Sequence, residues 1–481
     1  MADFEGIRKE LEGIAGSDRL KTDADVLAKH TVDGKLPKAV VFPKDTRMVA
    51  EIVRCACRSN LGILPWGSGT KMSAGHPPER MDLVIAMGRM NHMLDVDTAN
   101  LTITVEAGVK FRDVQARLAT EDDRCYLPLD DLTTESGELI CSERSHSGCF
   151  LPLDPSFSDR ATIGGIVAAN STGPRRLLYG LPRDLILGVR FVTPEGDIVG
   201  AGGKTVKNVS GYDISKVMIG SYGSLGILCE MTLRLLPLPE AMETLLLSFE
   251  SFSAAQSFAG AVLQTKLLPA ALEVANGPAF RNIPFKGVSV ELKPEPYVVM
   301  VALEAAGEAV ERMRKEMILI GERFGAKGHS LLKEEGHLLF WLAVSDLQAS
   351  LGARFGELIS LRLSYPLSEW KALFEFAENT IKMAGPECGI LCHAGSGASQ
   401  VHVLLEKNSG KEAETARAVA SILARCRELG GNLVVLQAPT GLKKGLPVWG
   451  EPGADLLVMK RLRAKIDPQG LMSPGRFVVG A

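Results

Sequence analysis

Three glycine-rich stretches, all in the first half of the chain, constrain this sequence more than any other feature. They are Trp66-Gly67-Ser68-Gly69-Thr70, the run from Asp159 to Pro174 with its Gly164-Gly165 pair, and Gly220-Ser221-Tyr222-Gly223-Ser224-Leu225-Gly226. Glycine loops expose consecutive N–H groups and let main chain approach an anion, so each suits a phosphate. Each alone also reads as a tight turn or as close helix packing. The third has the spacing of a dinucleotide fingerprint, but that fingerprint needs a strand before it and a helix after it. Here a helix over 214–219 precedes and a strand over 227–236 follows, which rejects a Rossmann site. The absence of G-x-x-x-x-G-K-[ST] rejects a P-loop hydrolase. Together the three loops favour one extended, flat, phosphate-bearing cofactor between two small subdomains, a flavin dinucleotide more than a mononucleotide.

The apolar periodicity around these loops gives their setting. A short amphipathic helix is expected over 4–15. The strand Ala39-Val40-Val41-Phe42 stops at Pro43, and Asp45 can cap a helix with Val49, Ile52, Val53 and Ala56 on one face. A second strand over 61–65 leads into the first glycine loop. Leu101, Ile103 and Val105 alternate with threonines as in a half-buried strand. Beyond residue 240 the pattern changes. Strands are expected at 244–250, 271–275, 297–303 and 329–332, with helices at 253–265 and 306–324. After a helical stretch at 334–352 the order recurs, with strands at 357–363, 387–392, 400–405 and 432–437 and helices at 367–384 and 410–428. Each set is β-α-β-β-α-β, the ferredoxin-like order. Two such units can join their sheets edge to edge, helices on one face. A last helix is expected over 455–466.

Composition removes other classes. With 481 residues, 46% hydrophobic, 23% charged and a net charge of −3, the chain is long enough for two or three packed units. It has no electrostatic footprint for nucleic acid. The N-terminus lacks a signal-peptide layout and no apolar run is long enough to span a bilayer, so a cytoplasmic location without direct membrane insertion is expected. The nine cysteines include no C-x2-C pair and no local iron–sulfur run. Leu127-Pro128-Leu129-Asp130 recurs as Leu151-Pro152-Leu153-Asp154, and 131–150, carrying Cys141 and Cys149, reads as an inserted loop and a candidate docking surface.

Six stretches resemble the vanillyl-alcohol oxidase/p-cresol methylhydroxylase (PCMH)-type FAD-binding fold, and within it the glycolate oxidase and D-lactate dehydrogenase group. They are Pro43 to Thr46, Pro65 to Lys71, Asp159 to Pro174, Gly202 to Asp213, Gly220 to Ile227 and Asp467 to Phe477. Gly67 to Pro78 and Leu446 to Gly450 are most similar to the smaller FAD-binding subunit of glycolate oxidase. The resemblance implies an α+β fold with a two-subdomain PCMH-type FAD-binding domain and a duplicated ferredoxin-like cap. The division it implies is an N-terminal helical segment (1–32), the FAD-binding domain (33–239), the cap (240–437) and a segment returning to the FAD domain (438–481). It assigns Gly67, Ser68, Gly69 and Thr70 to the pyrophosphate. It assigns Thr162, Gly164, Gly165, Ala168 and Asn170 to the ribityl and pyrophosphate path, Gly226 and Ile227 to the adenine side, and Arg476 to the flavin end of the tail. Pro65, Trp66, Asp159 and Ala161 belong to the same cofactor-binding set. Thr70 stands where some relatives carry an FAD-linked histidine, so noncovalent FAD is expected.

The resemblance further implies oxidation of a small-molecule 2-hydroxy acid. Such a reaction needs a cation for the carboxylate, a base for the hydroxyl proton and a flavin as hydride acceptor. Metal-dependent members carry His-Ala-Gly-Asp-Gly-Asn-x-His and a later Glu-His-Gly. Here His393 is present, Ser396, Ala398 and Gln400 replace the next three positions, and 438–446 has no Glu-His-Gly. His402 lies two residues beyond Gln400, on the same side of a strand. Two histidines without a carboxylate make a poor metal site, so no metal is expected. Trp341 is not followed by the usual arginine, which leaves Arg362 as the carboxylate clamp. His393, His402 and Arg362 are therefore the catalytic candidates, against a bland reading as pocket-lining or salt-bridged strand residues. Electrons would pass to an iron–sulfur or other electron-transfer subunit. The alternative is a non-catalytic or electron-relay FAD-binding subunit of a glycolate oxidase-type complex.

Overall fold

A computed structural model describes residues 4–122, 148–205, 211–292, 295–355, 357–406, 410–451 and 453–477. Most of the 131–150 stretch, Cys141 included, lies outside the described residues, as does part of the Gly202 to Asp213 motif.

The first apolar strand, Ala39–Val41, feeds the helix Thr46–Arg58. Asp45 caps that helix by accepting from Met48 N at 2.8 Å. Val49, Ile52, Val53 and Ala56 are fully buried along its inner face, and each of the larger ones contributes roughly 1.5–3 kcal/mol. The chain returns as Ile63–Trp66, and both strands pair in parallel with Leu83–Ala86. The N-terminal helix Phe4–Ala15 sets Ile7, Leu11 and Ala15 into the same core. A five-stranded antiparallel sheet forms the second layer, in the order Met93–Asp97, Thr102–Glu106, Ile227–Arg234, Ile186–Val192 and Ile198–Gly202. The last two of these strands lie in a region whose glycine content masked their alternation. The helix Ile214–Met218 precedes the third glycine loop and a strand follows it, the reversed order that rejects a Rossmann site.

The second half forms one eight-stranded sheet. Its order is Gly328–Lys333, Ala241–Phe249, Tyr297–Ala305, Ala271–Asn276, Glu387–His393, Ala398–Leu405, Glu357–Ser364 and Asn432–Gln437. The first four and the last four strands each repeat the ferredoxin-like arrangement. They join edge to edge through antiparallel pairing of Ala271–Asn276 with Glu387–His393, which sets Glu273 opposite His393. Helices Phe252–Leu263, Gly307–Arg323, Trp370–Ala384 and Glu412–Glu428 pack on one face. The expected helical stretch at 334–352 is two helices, Glu334–Ser345 and Leu347–Arg354, separated at Asp346. They lie on the opposite face with Phe340, Trp341 and Leu351.

The two halves are tied together by a buried polar network. Glu304 Oε1 lies 2.5 Å from Arg175 Nε and 3.0 Å from His337 Nε2, while Tyr179 donates to Glu304 Oε2 at 2.6 Å. Thr244 Oγ1 continues the network to His337 Nδ1 at 2.9 Å and accepts from Trp341 Nε1 at 3.0 Å. The tail closes the first half. Ser473 N donates to Ile63 O, and Ile63 N to Leu471 O, each at 2.8 Å.

Candidate active site: a glycine cleft continuous with a cationic cavity

The three glycine loops converge. The turn after Trp66 needs a left-handed residue, and Gly69 supplies it at φ +78. At Gly67 a Cβ would run into Thr162 Oγ1, and at Gly164 it would fall 2.7 Å from Ala107 Cβ. These glycines therefore let the loops close on one another, and the space left between the loops is the cleft. It encloses about 820 Å³, part of it open to solvent. Pro65, Trp66, Gly67, Ser68, Gly69, Thr70, Thr162, Gly164, Gly165, Ala168, Gly226, Ile227 and Arg476 all line it, with Lys71 and Tyr222. Among the described residues no Asp or Glu side chain lines it. Thr162 caps the helix Ile163–Ala169 by accepting from Gly165 N at 3.2 Å. Main-chain donors, two cations and no lining carboxylate fit a pyrophosphate-bearing dinucleotide.

Three expected cofactor residues do not line the cleft. Asp159 is exposed, pairs with Arg160 at 3.5 Å and faces a different cavity; its charge keeps it in water. Ala161 is buried in the core, where its carbonyl accepts from Phe111 N. Asn170 ends the helix in the left-handed region at φ 46, and its buried Oδ1 has no partner among the described residues.

Arg476 lines the cleft, yet its guanidinium fastens the first loop. Nη2 donates to Ala74 O at 2.6 Å and to Met72 O at 3.0 Å. Beside it Tyr222, Trp449 and Phe477 form an aromatic cluster with centroids 4.8–5.8 Å apart. Lys443 was not singled out by the sequence. It is fully buried and donates to both Asp33 carboxylate oxygens at 2.9 Å and to Ser73 O at 2.7 Å. Residues from both ends of the chain thus hold the first glycine loop.

A second, narrow polar cavity, about 530 Å³ when the space open to solvent is included, shares Thr70, Lys71, Ala169 and Tyr222 with the cleft and reaches the cap sheet. Arg362 and Gln400 line it from the cap, and Arg176 lines it from the segment after the second glycine stretch. Arg362 thus opens on the same cavity as Lys71. Arg176 is a further cation that lies outside every motif, and Lys71 ends the first motif without an assigned role; a lone basic residue gives no signal in sequence of what it meets. Burial, opposed by Asp346 and reinforced by Arg362, pushes Lys71 down to about 8; burial, opposed by Asp154 and Glu273 and reinforced by Arg362, pushes Arg176 down to about 10.

The two histidines differ in placement. His393 Nδ1 lies 2.7 Å from Glu273 Oε1, and its Nε2 lies 3.5 Å from Gln400 Nε2. Gln400 therefore stands between His393 and the cavity. Burial, reinforced by Arg176 and Arg362, holds the imidazole well below its ordinary value, and burial raises the Glu273 carboxyl well above its own. His402 lines neither cavity. Its Nδ1 lies 3.0 Å from Ser360 Oγ, Nε2 has no partner among the described residues, and burial lowers it to about 4. The strand alternation does put His402 on the face of Gln400, but one pleat further along. Among the described residues no group of three or more His, Cys, Asp or Glu could hold a metal ion, and no helix is long and apolar enough to cross a membrane.

Comparison with known proteins agrees with this architecture. Residues 37–133 and 141–202 match the FAD binding domain family, and residues 238–477 match the FAD linked oxidases, C-terminal domain family. The glycolate oxidase subunit GlcD of Bacillus subtilis is 27% identical, covering 92% of this chain and 89% of the relative. A D-2-hydroxyglutarate dehydrogenase of Xanthomonas citri is 26% identical over the same shares. Among solved structures, p-cresol methylhydroxylase with substrate bound superposes with a TM-score of 0.76 at 15% identity, covering 99% of this chain and 97% of that one. The two family models between them account for both halves described above, and the chain belongs to the FAD-linked oxidases with a PCMH-type FAD-binding domain, a family of FAD-dependent oxidoreductases.

Proposed function

We propose that this protein oxidises a 2-hydroxy acid and passes the electrons to a partner protein. The observation that carries this reading is the continuity of the glycine cleft with a cavity walled by Lys71, Arg176 and Arg362 and, among the described residues, by no acidic side chain. FAD, when bound, supplies the hydride acceptor. The loops at 67–70 and 162–168, with Gly226 and Ile227, are the residues proposed to hold it. Noncovalent binding is the proposed mode, because Thr70 stands where some relatives carry an FAD-linked histidine. Arg362 would take the substrate carboxylate with its planar fork. His393 would take the hydroxyl proton on Nε2, since Nδ1 is occupied by Glu273. A general base can act through one water, which suits a ring separated from the cavity by Gln400. Reoxidation by an iron–sulfur or other electron-transfer protein completes the proposed cycle.

The test is anaerobic addition of D-lactate, glycolate and D-2-hydroxyglutarate to the purified flavoprotein. Bleaching of the flavin by the isolated chain is the expected result. Bleaching only when a sister subunit is added would favour an electron-relay role. A chain that takes up no FAD when it is supplied would refute both.

A further inference from the structure

We propose that substrate reaches the cationic cavity from a second, outer cavity beside Asp346, and that the Phe157 ring is the gate between the two. The inference rests on the reading of the inner cavity as the substrate's place and adds the way in.

The outer cavity is the larger, about 1460 Å³ when the space open to solvent is included. Arg112, Lys286 and Arg354 line it with Asp159 and Asp346, so its charges do not sum against an anion. Two chain segments separate it from the inner cavity. In the first, Ser156 lines the inner cavity, and Ser158 and Asp159 line the outer one. In the second, Gln348 lines the inner cavity, and Asp346 and Ala349 line the outer one. The divide is therefore thin, and Phe157 stands at it.

Phe157 is a fixed stem carrying a ring that can turn. Its main chain is in the left-handed region at φ +61, which a bulky residue keeps only where its surroundings hold it. Phe157 N donates to Asp346 Oδ1 at 2.6 Å, across the junction of the two halves. Phe157 O accepts from Arg160 N at 2.9 Å and from Ala161 N at 2.7 Å. The side chain is less firmly held. It is half-buried, and its ring centroid lies 5.3 Å from Lys71 Nζ, which lines the inner cavity, and 5.2 Å from Cζ of the exposed Arg160. The ring thus lies between an inner-cavity cation and a solvent-exposed one. Such contacts are individually weak, so the ring can swing aside while the main chain stays in place.

Among the described residues, other sides of the inner cavity are held closed. Thr70, Ala169 and Tyr222 belong also to the glycine cleft, so a cofactor held there covers that side. Arg362 and Gln400 are directly paired on neighbouring strands of the continuous cap sheet. Next to Arg176, Arg175 is buried against Glu304. Toward the edge strand, Gln348 Nε2 meets Gln437 Oε1 at 3.5 Å. Behind Ser156 and Gln348, by contrast, lies the outer cavity.

The experiment uses the FAD-loaded full chain and two carboxylates without a 2-hydroxyl group, acetate and phenylacetate. Their binding is followed by stopped-flow through the flavin absorbance. A gate changes the rates of entry and exit together and leaves the equilibrium alone. F157A should therefore raise kon and koff for phenylacetate by roughly 10-fold each, with Kd within about 3-fold of wild type. F157W should lower both rates, and acetate should respond less than phenylacetate in both variants. D346A, which removes the acceptor of Phe157 N, should shift the rates in the direction of F157A. D346N, which keeps an Oδ1 acceptor, should shift them less. Flavin content of each variant reports whether it is folded. Unchanged phenylacetate rates in F157A and F157W would overturn the gate and leave the hydroxy-acid reading standing. A change in Kd carried by koff alone would make Phe157 a ligand contact and likewise overturn the gate. No response of the wild-type flavin to either anion would refute the reading of the inner cavity, and the gate with it.

Discussion

Glu304 is the residue whose loss should do most to separate the two halves of the molecule. It is buried with Arg175, Tyr179 and His337, and its carboxylate serves all three. Burial opposes its charge, but Arg175 first, and then His337 and Tyr179, hold it down at about 2. A carboxyl lowered from 4.5 to about 2 contributes roughly 3 kcal/mol. The sign follows from the lowered value. The contribution is complete above the ordinary carboxylate range near 4.5 and is lost as pH falls toward 2. His337, held below 6.5 by burial, acts in the same direction, because the unfolded chain takes up its proton first as pH falls below 6.5. E304Q keeps the shape and removes the charge, leaving Arg175 without its buried carboxylate. Breaking a buried pair in this way costs about 3–5 kcal/mol. For a cooperative unit of about 150–250 residues, about 3 kcal/mol lowers Tm by roughly 6–12 °C. The assay is thermal unfolding at pH 7, followed by circular dichroism and by release of flavin fluorescence. K315A, which removes the exposed pair Lys315–Glu311, is the control and should cost less than about 1 kcal/mol. A change in E304Q no larger than in K315A would refute the reasoning. The double variant R175M/E304L should recover much of the loss, since apolar replacement of both partners is often near neutral.

Three further outcomes are expected. Gly69→Val places a β-branched residue at φ +78 with its Cβ 2.6 Å from Trp66 Cζ2; FAD content should fall at least about 10-fold while the cap keeps its circular dichroism, the left-handed conformation alone costing roughly 1–2 kcal/mol. His393→Asn should lower kcat by about 10²–10⁴-fold with flavin retained. Because the His393 imidazole is held well below 6.5, the acid limb of the wild-type kcat/KM profile should lie below that pH, and a limb above it would exclude His393 as the base. Thr162→Ala removes the cap on Gly165 N and should cost about 1 kcal/mol by urea denaturation, with weaker FAD binding measured by fluorescence.

Local chemistry made much of the architecture legible. Helix Thr46–Arg58 and the cap strands follow directly from apolar periodicity, because a residue's face depends only on its spacing from its neighbours. Asp45 could be read as a cap for the same reason: cap and donor are three residues apart. Asp159 shows the limit of motif reading. It sits inside a cofactor motif in sequence but points into water on another side of the fold.

By itself, then, the sequence determined three anion-compatible loops in an order that rejects a Rossmann site, and a duplicated β-α-β-β-α-β half. Tertiary structure alone decided which distant side chains meet. Glu273 faces His393 only because two sheet edges pair in that register. Lys443 reaches Asp33 only because the tail folds back over the first loop. Lys71, Arg176 and Arg362 become one cationic wall only when the cap closes on the glycine cleft. Spacing along the chain carries no information about such contacts, since they depend on long-range strand pairing and on how two separately formed cores pack together.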